Sequence, residues 1–228
     1  MKLPISDRLL ACAAFVSPGD RVADIGCDHG YLSLHLTESG IAVHCIASDV
    51  REGPLSAARE NVRAAGMADR IELRLGDGLS GIAPEETDCI ILAGMGGDTM
   101  REILQAAPWI TGGGHTLVLQ PQSHTDTLRL WLSGQGFSVT AERVVYDRSH
   151  LYVVFRAEWD GKGDRSPLCP YFSPALLALP AEEREPYVER VFAELGKRLE
   201  GLRAAEGRED EAGALAAHIE YIRKLVEQ

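Results

Sequence analysis

Val22-Ala23-Asp24-Ile25-Gly26-Cys27-Asp28-His29-Gly30-Tyr31 runs from an apolar stretch into a turn bracketed by glycines, and then into a helical pattern that begins at Tyr31. Gly26 suits a tight turn and close approach of the backbone to a bulky ligand; Gly30 lets a helix N-terminus sit close to both sheet and ligand. Outward from this stretch the chain alternates short apolar, β-branched runs with helical ones. Strands are predicted at 21–25, 42–48, 71–75, 88–93, 116–120, 137–144 and 151–157. Helices are predicted between the earlier strands, at 31–38, 53–65, 98–105 and 125–133. Such alternation with short connections gives a largely parallel sheet covered on both faces. Only a loop at 147–149 separates the last two strands, so they are expected to pair antiparallel.

The composition fits an ordinary globular chain, with 45% hydrophobic and 25% charged residues. No apolar run approaches the roughly 20 residues that cross a bilayer. Asp7 and Arg8 interrupt the N-terminal apolar stretch, which reads as a first helix and not as a targeting segment. The five cysteines form no CxxC pair and the seven histidines lack metal-site spacing, so neither a disulfide framework nor a metal is expected, and the compartment is read as cytoplasmic. The net charge of −11 argues against a general polyanion binder and allows at most a local basic face.

Residues 161–174 shift to Gly, Pro, Ser and Asp and read as a linker. Beyond it, Tyr187, Val191, Leu195, Leu199 and Leu202 form one apolar stripe, and Leu215, Ile219, Ile222 and Val226 another. The division expected is an α/β domain at 1–160 and, at 161–228, a linker with a coiled-coil-like helical hairpin. That hairpin serves packing, weak dimerisation or substrate docking; the chain is expected to be a monomer or a weak dimer.

Five parallel strands followed by an antiparallel hairpin is the pattern of the seven-stranded, Rossmann-like methyltransferase sheet. Three acids at the tips of its first three strands support it. Asp28 occupies the middle of the glycine turn, where a carboxylate repels a pyrophosphate but suits the cationic amino-acid end of S-adenosylmethionine. Asp24 can pair with the same end. Asp49, twenty-three residues after Gly26, has the spacing of an acid that accepts from a ribose diol. Asp77 is placed to accept from the adenine amine, with Gly78 leaving room for the ring. Either Asp49 or Asp77 alone reads equally well as a turn or capping residue.

The fourth strand ends in Ala93-Gly94-Met95-Gly96-Gly97, where Gly94 and Met95 are expected beside the cofactor, and Gly96 and Gly97 beside a flat acceptor base. ADIGCDHGYL, ASDVREGPLSAA, LGDGL, AGMGG and LQPQ, in that order, together with Ser6-Asp7-Arg8-Leu9, RLWL from Arg129 and Leu151-Tyr152, resemble the bacterial tRNA adenine-22 N1-methyltransferase family. The resemblance spans about residues 5 to 157. It implies S-adenosylmethionine as donor, tRNA as acceptor, and a C-terminal helical domain. Cys27 and Gly30 depart modestly from the expected pattern.

Adenine N1 lies on the Watson–Crick edge, so the nucleotide must be unpaired or flipped. Asp28 is then a candidate for stabilising the cationic product as well as for the cofactor, with His29 orienting it or touching the nucleotide and Tyr31 stacking on base or cofactor. Cys27 receives no role as nucleophile. Arg8, Arg129 and Arg143 are candidate phosphate contacts, and Gln120 a candidate contact to the base. Rival readings are a methyltransferase for another RNA or a small molecule, a nicotinamide-dependent oxidoreductase, and a non-catalytic S-adenosylmethionine-binding module.

Overall fold

A computed structural model describes residues 4–227. Its seven strands are β1 Arg21–Ile25, β2 His44–Asp49, β3 Ile71–Leu75, β4 Cys89–Gly96, β5 Thr116–Ser123, β6 Phe137–Asp147 and β7 His150–Trp159. They form one sheet in the order β3-β2-β1-β4-β5-β7-β6. β7 lies antiparallel between β5 and β6, and the other neighbours are parallel. The Rossmann-like expectation holds, and so does the antiparallel final pair. Strands β4, β5, β6 and β7 run beyond their expected ends.

Helices α1 Asp7–Ala13, α2 Tyr31–Glu38, α3 Glu52–Ala64, α4 Gly97–Gln105 and α5 Thr125–Gly134 cover the sheet. Neighbouring strand residues serve opposite faces. Cys45, Cys89, Ile91 and Val118 join one buried cluster with Leu34, Leu36 and Leu55, while Ile46, Ile90, Leu92 and Leu117 join another with Met100, Leu104 and Leu128. Burial on both faces is why these strands read as continuous apolar runs. Each large side chain so buried stabilises the fold by about 1.5–3 kcal/mol.

A third cluster joins Val153 of β7 to α6 Pro174–Leu177, α7 Ala181–Ala204 and α8 Glu209–Val226. Tyr187, Val191 and Leu195 of α7 and Ile222 of α8 are buried in it, as the two stripes foretold. The segment read as a linker is partly packed: Leu168 and Phe172 are buried, and Ser173 caps α6 by accepting from the Leu176 N–H at 3.0 Å. Its turn-rich composition conceals apolar anchors that strap the C-terminal helices to the sheet.

Candidate functional site

The strand order reverses beside β1, which pairs with both β2 and β4, and a cavity of about 790 Å3 opens beyond the carboxyl ends of the strands there. Open α/β sheets bind ligands at such a switch point, and the volume suits a nucleoside-sized ligand. Asp24, Gly26, Asp28, His29, Gly30's neighbour Tyr31, Asp49, Asp77, Gly78, Gly94 and Met95 bring β1 to β4 together around it, with Arg8 reaching in from α1.

Three left-handed residues shape the loop after β1: Gly26 at φ 73°, Asp28 at 50° and Gly30 at 72°. Aspartate tolerates this conformation better than most side chains. Strand β2 laces the loop down, its Ser48 carbonyl accepting from the N–H groups of Gly26 at 2.7 Å and Cys27 at 2.9 Å. A Cβ at Gly26 would collide with the Met95 side chain, and one at Gly30 would press within 3.2 Å of the Ala58 Cβ. Gly30 therefore serves the packing of α2 against α3.

Asp24 is buried and accepts from the Ser33 hydroxyl at 2.8 Å. Burial pushes its pKa up to about 6, the Ser33 hydrogen bonds oppose the rise, and nearby Asp49 adds to it. Asp49 accepts from the Arg51 N–H at 2.9 Å and from the Asp28 N–H at 3.3 Å. It thus holds the turn and still has lone pairs for a ligand, so its structural and binding readings are compatible. Asp77 is exposed at the tip of β3. Asp28 points to solvent, its Oδ1 3.7 Å from His29 Nε2, and the His29 ring tilts against Tyr31 with centroids 5.8 Å apart. Burial pushes the Cys27 thiol well up, so it stays protonated and non-nucleophilic, as expected. Carboxylates of Asp24, Asp28, Asp49, Asp77 and Glu102 outnumber the cations of Arg8 and Arg51 in the lining, which favours a cationic ligand over a pyrophosphate.

Several expected contacts move elsewhere. Arg129 is buried, paired with the buried Glu142 and lying 4.7 Å over the Phe155 ring; it anchors the core and cannot meet a phosphate. It follows Leu128 and precedes Leu132, both buried on the same face of α5, a position the sequence marks as inward. Gln120 is fully buried, and its Oε1 accepts from Arg8 Nη1 at 3.0 Å, so it orients Arg8 and does not meet a base in this state. A Cβ at Gly97 would strike the His124 carbonyl, and one at Gly96 would sit 3.1 Å from Ser123 Oγ. These glycines let β4 and α4 pack against the end of β5 and leave no room for a base. Arg143 is exposed on edge strand β6 and lies outside the cavity.

Residues missed by the sequence reading are Ser33, Arg51, Glu102, Ile103 and Asp147. Ser33 had a signal, a lone hydroxyl in the apolar start of α2. Asp147, 3.5 Å from Arg8 Nε, had none, because the hairpin tip meets α1 only after folding. Among the described residues no group of three or more side chains could hold a metal, and no helix is long and apolar enough to cross a membrane.

A family profile described as a methyltransferase domain matches residues 5–155. The tRNA (adenine(22)-N(1))-methyltransferase of Bacillus subtilis is 35% identical over 72% of this chain and 68% of its own. The crystal structure of B. subtilis TrmK superposes with a TM-score of 0.85 at 27% identity, over 99% of this chain and all of that one (100%). Streptococcus pneumoniae Sp1610, in complex with S-adenosyl-L-methionine, gives a TM-score of 0.79 at 31% identity over 97% and 99% of the two chains. On sequence, fold and the acid-lined cavity at the strand tips alike, the chain belongs to the tRNA (adenine(22)-N(1))-methyltransferase family.

Proposed function

We propose that this protein transfers a methyl group from S-adenosylmethionine to N1 of an adenine in tRNA, at position 22 as in its Bacillus subtilis relative. The observation that carries the reading is the acidic cavity at the sheet's switch point, in a chain whose relative Sp1610 is crystallised with that cofactor. The residues fit the group: Gly26 brings bare backbone to the cavity beside Met95, Asp49 has free acceptor capacity, and the carboxylates suit a cation.

In this reading Asp49 accepts from the ribose diol, Asp77 from the adenine amine beside Gly78, and Asp24 faces the amino-acid end. Gly94 and Met95 line the side from which an acceptor approaches. When bound, S-adenosylmethionine would supply an electrophilic methyl group for the lone pair of adenine N1, and the methylated purine carries the positive charge. Adenine N1 carries no proton, so the chain needs no base to expose the nucleophile. Its work is positioning, which can supply roughly 7–11 kcal/mol of barrier reduction. Asp28 is set to stabilise either the cofactor's ammonium group or the charged product, with His29 beside it and Tyr31 flanking the entrance. Arg8, held by Gln120 and Asp147, offers its remaining donors to the acceptor's phosphate.

The division into a catalytic unit at 1–160 and a substrate-docking unit at 161–228 belongs to the same reading, as does a cytoplasmic monomer or weak dimer. Incubation with labelled S-adenosylmethionine and unmodified total bacterial tRNA tests it. N1-methyladenosine at a single position is expected; labelled tRNA containing a different methylated nucleoside, or no labelled tRNA, overturns it.

A further inference from the structure

Strands β4 and β5 fall out of register where they leave the core. Ala93 pairs with Gln120, Met95 with Pro121 and Gly96 with Ser123. Each strand therefore carries one residue outside the ladder, Gly94 on β4 and Gln122 on β5. Bulges of this kind re-aim side chains beside active sites. Gly94, at φ 79°, lines the cofactor cavity. The Gln122 Nε2 atom lies 3.7 Å from the point where a Gly94 Cβ would stand, and Arg8 Nη1 lies 3.2 Å from it.

Gln122 also lines a second cavity, of about 590 Å3, between the end of β5, the start of β7 and α7. Its amide thus reaches from the second cavity toward Gly94, which lines the first. It is exposed, and no hydrogen bond from it to another described residue is formed. Gln120, two residues earlier, is buried and bonded to Arg8, so the two glutamines of the LQPQ motif have opposite fates.

The reaction chemistry limits how an adenine can be recognised here. N1 must face the methyl group, so the Watson–Crick edge is not free for a full set of protein contacts. The other polar edge presents the N6 amine as donor and N7 as acceptor, and a glutamine amide matches that pair with two parallel hydrogen bonds. Guanine presents two acceptors there and cannot satisfy the same amide.

We propose that Gln122 reads the N6 and N7 edge of the acceptor adenine at the rim between the two cavities, holding N1 toward the methyl group. The proposal rests on the tRNA adenine reading above. It makes Gln122 a substrate-contacting specificity residue, the role the sequence reading gave to Gln120.

The test uses full-length protein and a tRNA carrying adenine, 7-deazaadenine (no N7 acceptor) or purine (no N6 amine) at the target position. With the wild-type protein and adenine as reference, kcat/KM is compared across Gln122→Ala and Gln122→Glu. Ratios between variants cancel the intrinsic reactivity of each base. Relative to Gln122→Ala, the wild type is expected to prefer adenine over each analogue by roughly tenfold, the worth of one good base contact. Gln122→Glu keeps an acceptor for the N6 amine but loses the donor to N7, so its preference over purine persists and its preference over 7-deazaadenine disappears. Cofactor affinity and the urea midpoint stay at wild-type values in both variants. If Gln122→Ala discriminates among the three bases as the wild type does, the proposal is wrong. If the wild type methylates no adenine in tRNA, the underlying functional reading falls and takes the proposal with it.

Discussion

Two regions of this molecule bury charge, and they do it for opposite ends. At the strand tips Asp24 sits buried on the Ser33 hydroxyl, with no cation paired to it among the described residues. Under the C-terminal helices Glu142 is buried with full compensation: Arg129 donates from two nitrogens, and the Ser173 hydroxyl donates at 2.5 Å. The first arrangement borders the cavity and has no cation paired to it among the described residues. In the second both Glu142 oxygens are paired, although Arg129 Nε keeps no partner among the described residues, and Ser173 makes it the polar tie between the sheet and the strap that carries α6 to α8. An unpaired buried acid next to a cavity reads as a binding feature, and a paired one away from it as structure.

Breaking the closed pair should have the largest effect. Arg129→Met leaves Glu142 buried without its cation and is expected to cost about 3–5 kcal/mol in urea unfolding. The double variant Arg129→Met, Glu142→Leu should recover most of that loss, since removing both charges removes the desolvation cost. Similar losses in the single and double variants would show that Arg129 contributes through packing alone.

The open acid should respond to pH. Its pKa in the fold is about 6, above the ordinary unfolded value of about 3.9. The folded state therefore holds this proton more tightly, so Asp24's contribution is fully present below about pH 4 and lost as pH rises through about 6. The difference in stability between wild type and Asp24→Asn should change by about 3 kcal/mol across that window and be flat above it. S-adenosylmethionine binding runs the other way, because a cation favours the ionised form. Wild-type affinity should rise with pH up to the same point, and the asparagine variant should show a flatter profile by calorimetry.

Asp49→Ala sharpens the cavity side of the comparison. Loss of a carboxylate accepting from a diol is expected to weaken cofactor binding by about 10- to 100-fold, some 1.4–2.7 kcal/mol. Unchanged affinity would leave Asp49 with only its turn-holding role toward Asp28 and Arg51. The smallest effect is expected in the second cavity, where Arg198 is exposed on α7. If RNA passes there, Arg198→Ala should weaken tRNA binding severalfold, reduce the salt slope by about 1, and leave cofactor affinity unchanged.

Most of the sheet was legible because its signals are local. Apolar runs, glycine turns and acids at strand ends are consequences of a chain entering and leaving a core, and β1, β3 and α2 match their expected bounds. The three acids at successive tips were legible for the same reason: in a parallel sheet each strand ends at the same edge. Arg129 and Gln120 were misplaced because a polar residue in a motif looks the same whether it meets a ligand or a buried partner. Glu142 and Arg8, which decide the matter, lie 13 and 112 residues away.

By itself, then, the sequence determined the fold class and the acids at one sheet edge, written in short-range periodicity and spacing, while the family was carried by the motifs the chain shares with its relatives. Tertiary structure alone decided which cations face outward, which glycines are closed by packing, and that residues 161–173 are strapped to the core. Those outcomes depend on distant partners and on register between strands, and in particular on the offset that turns Gln122 toward Gly94 while Gln120 stays inside.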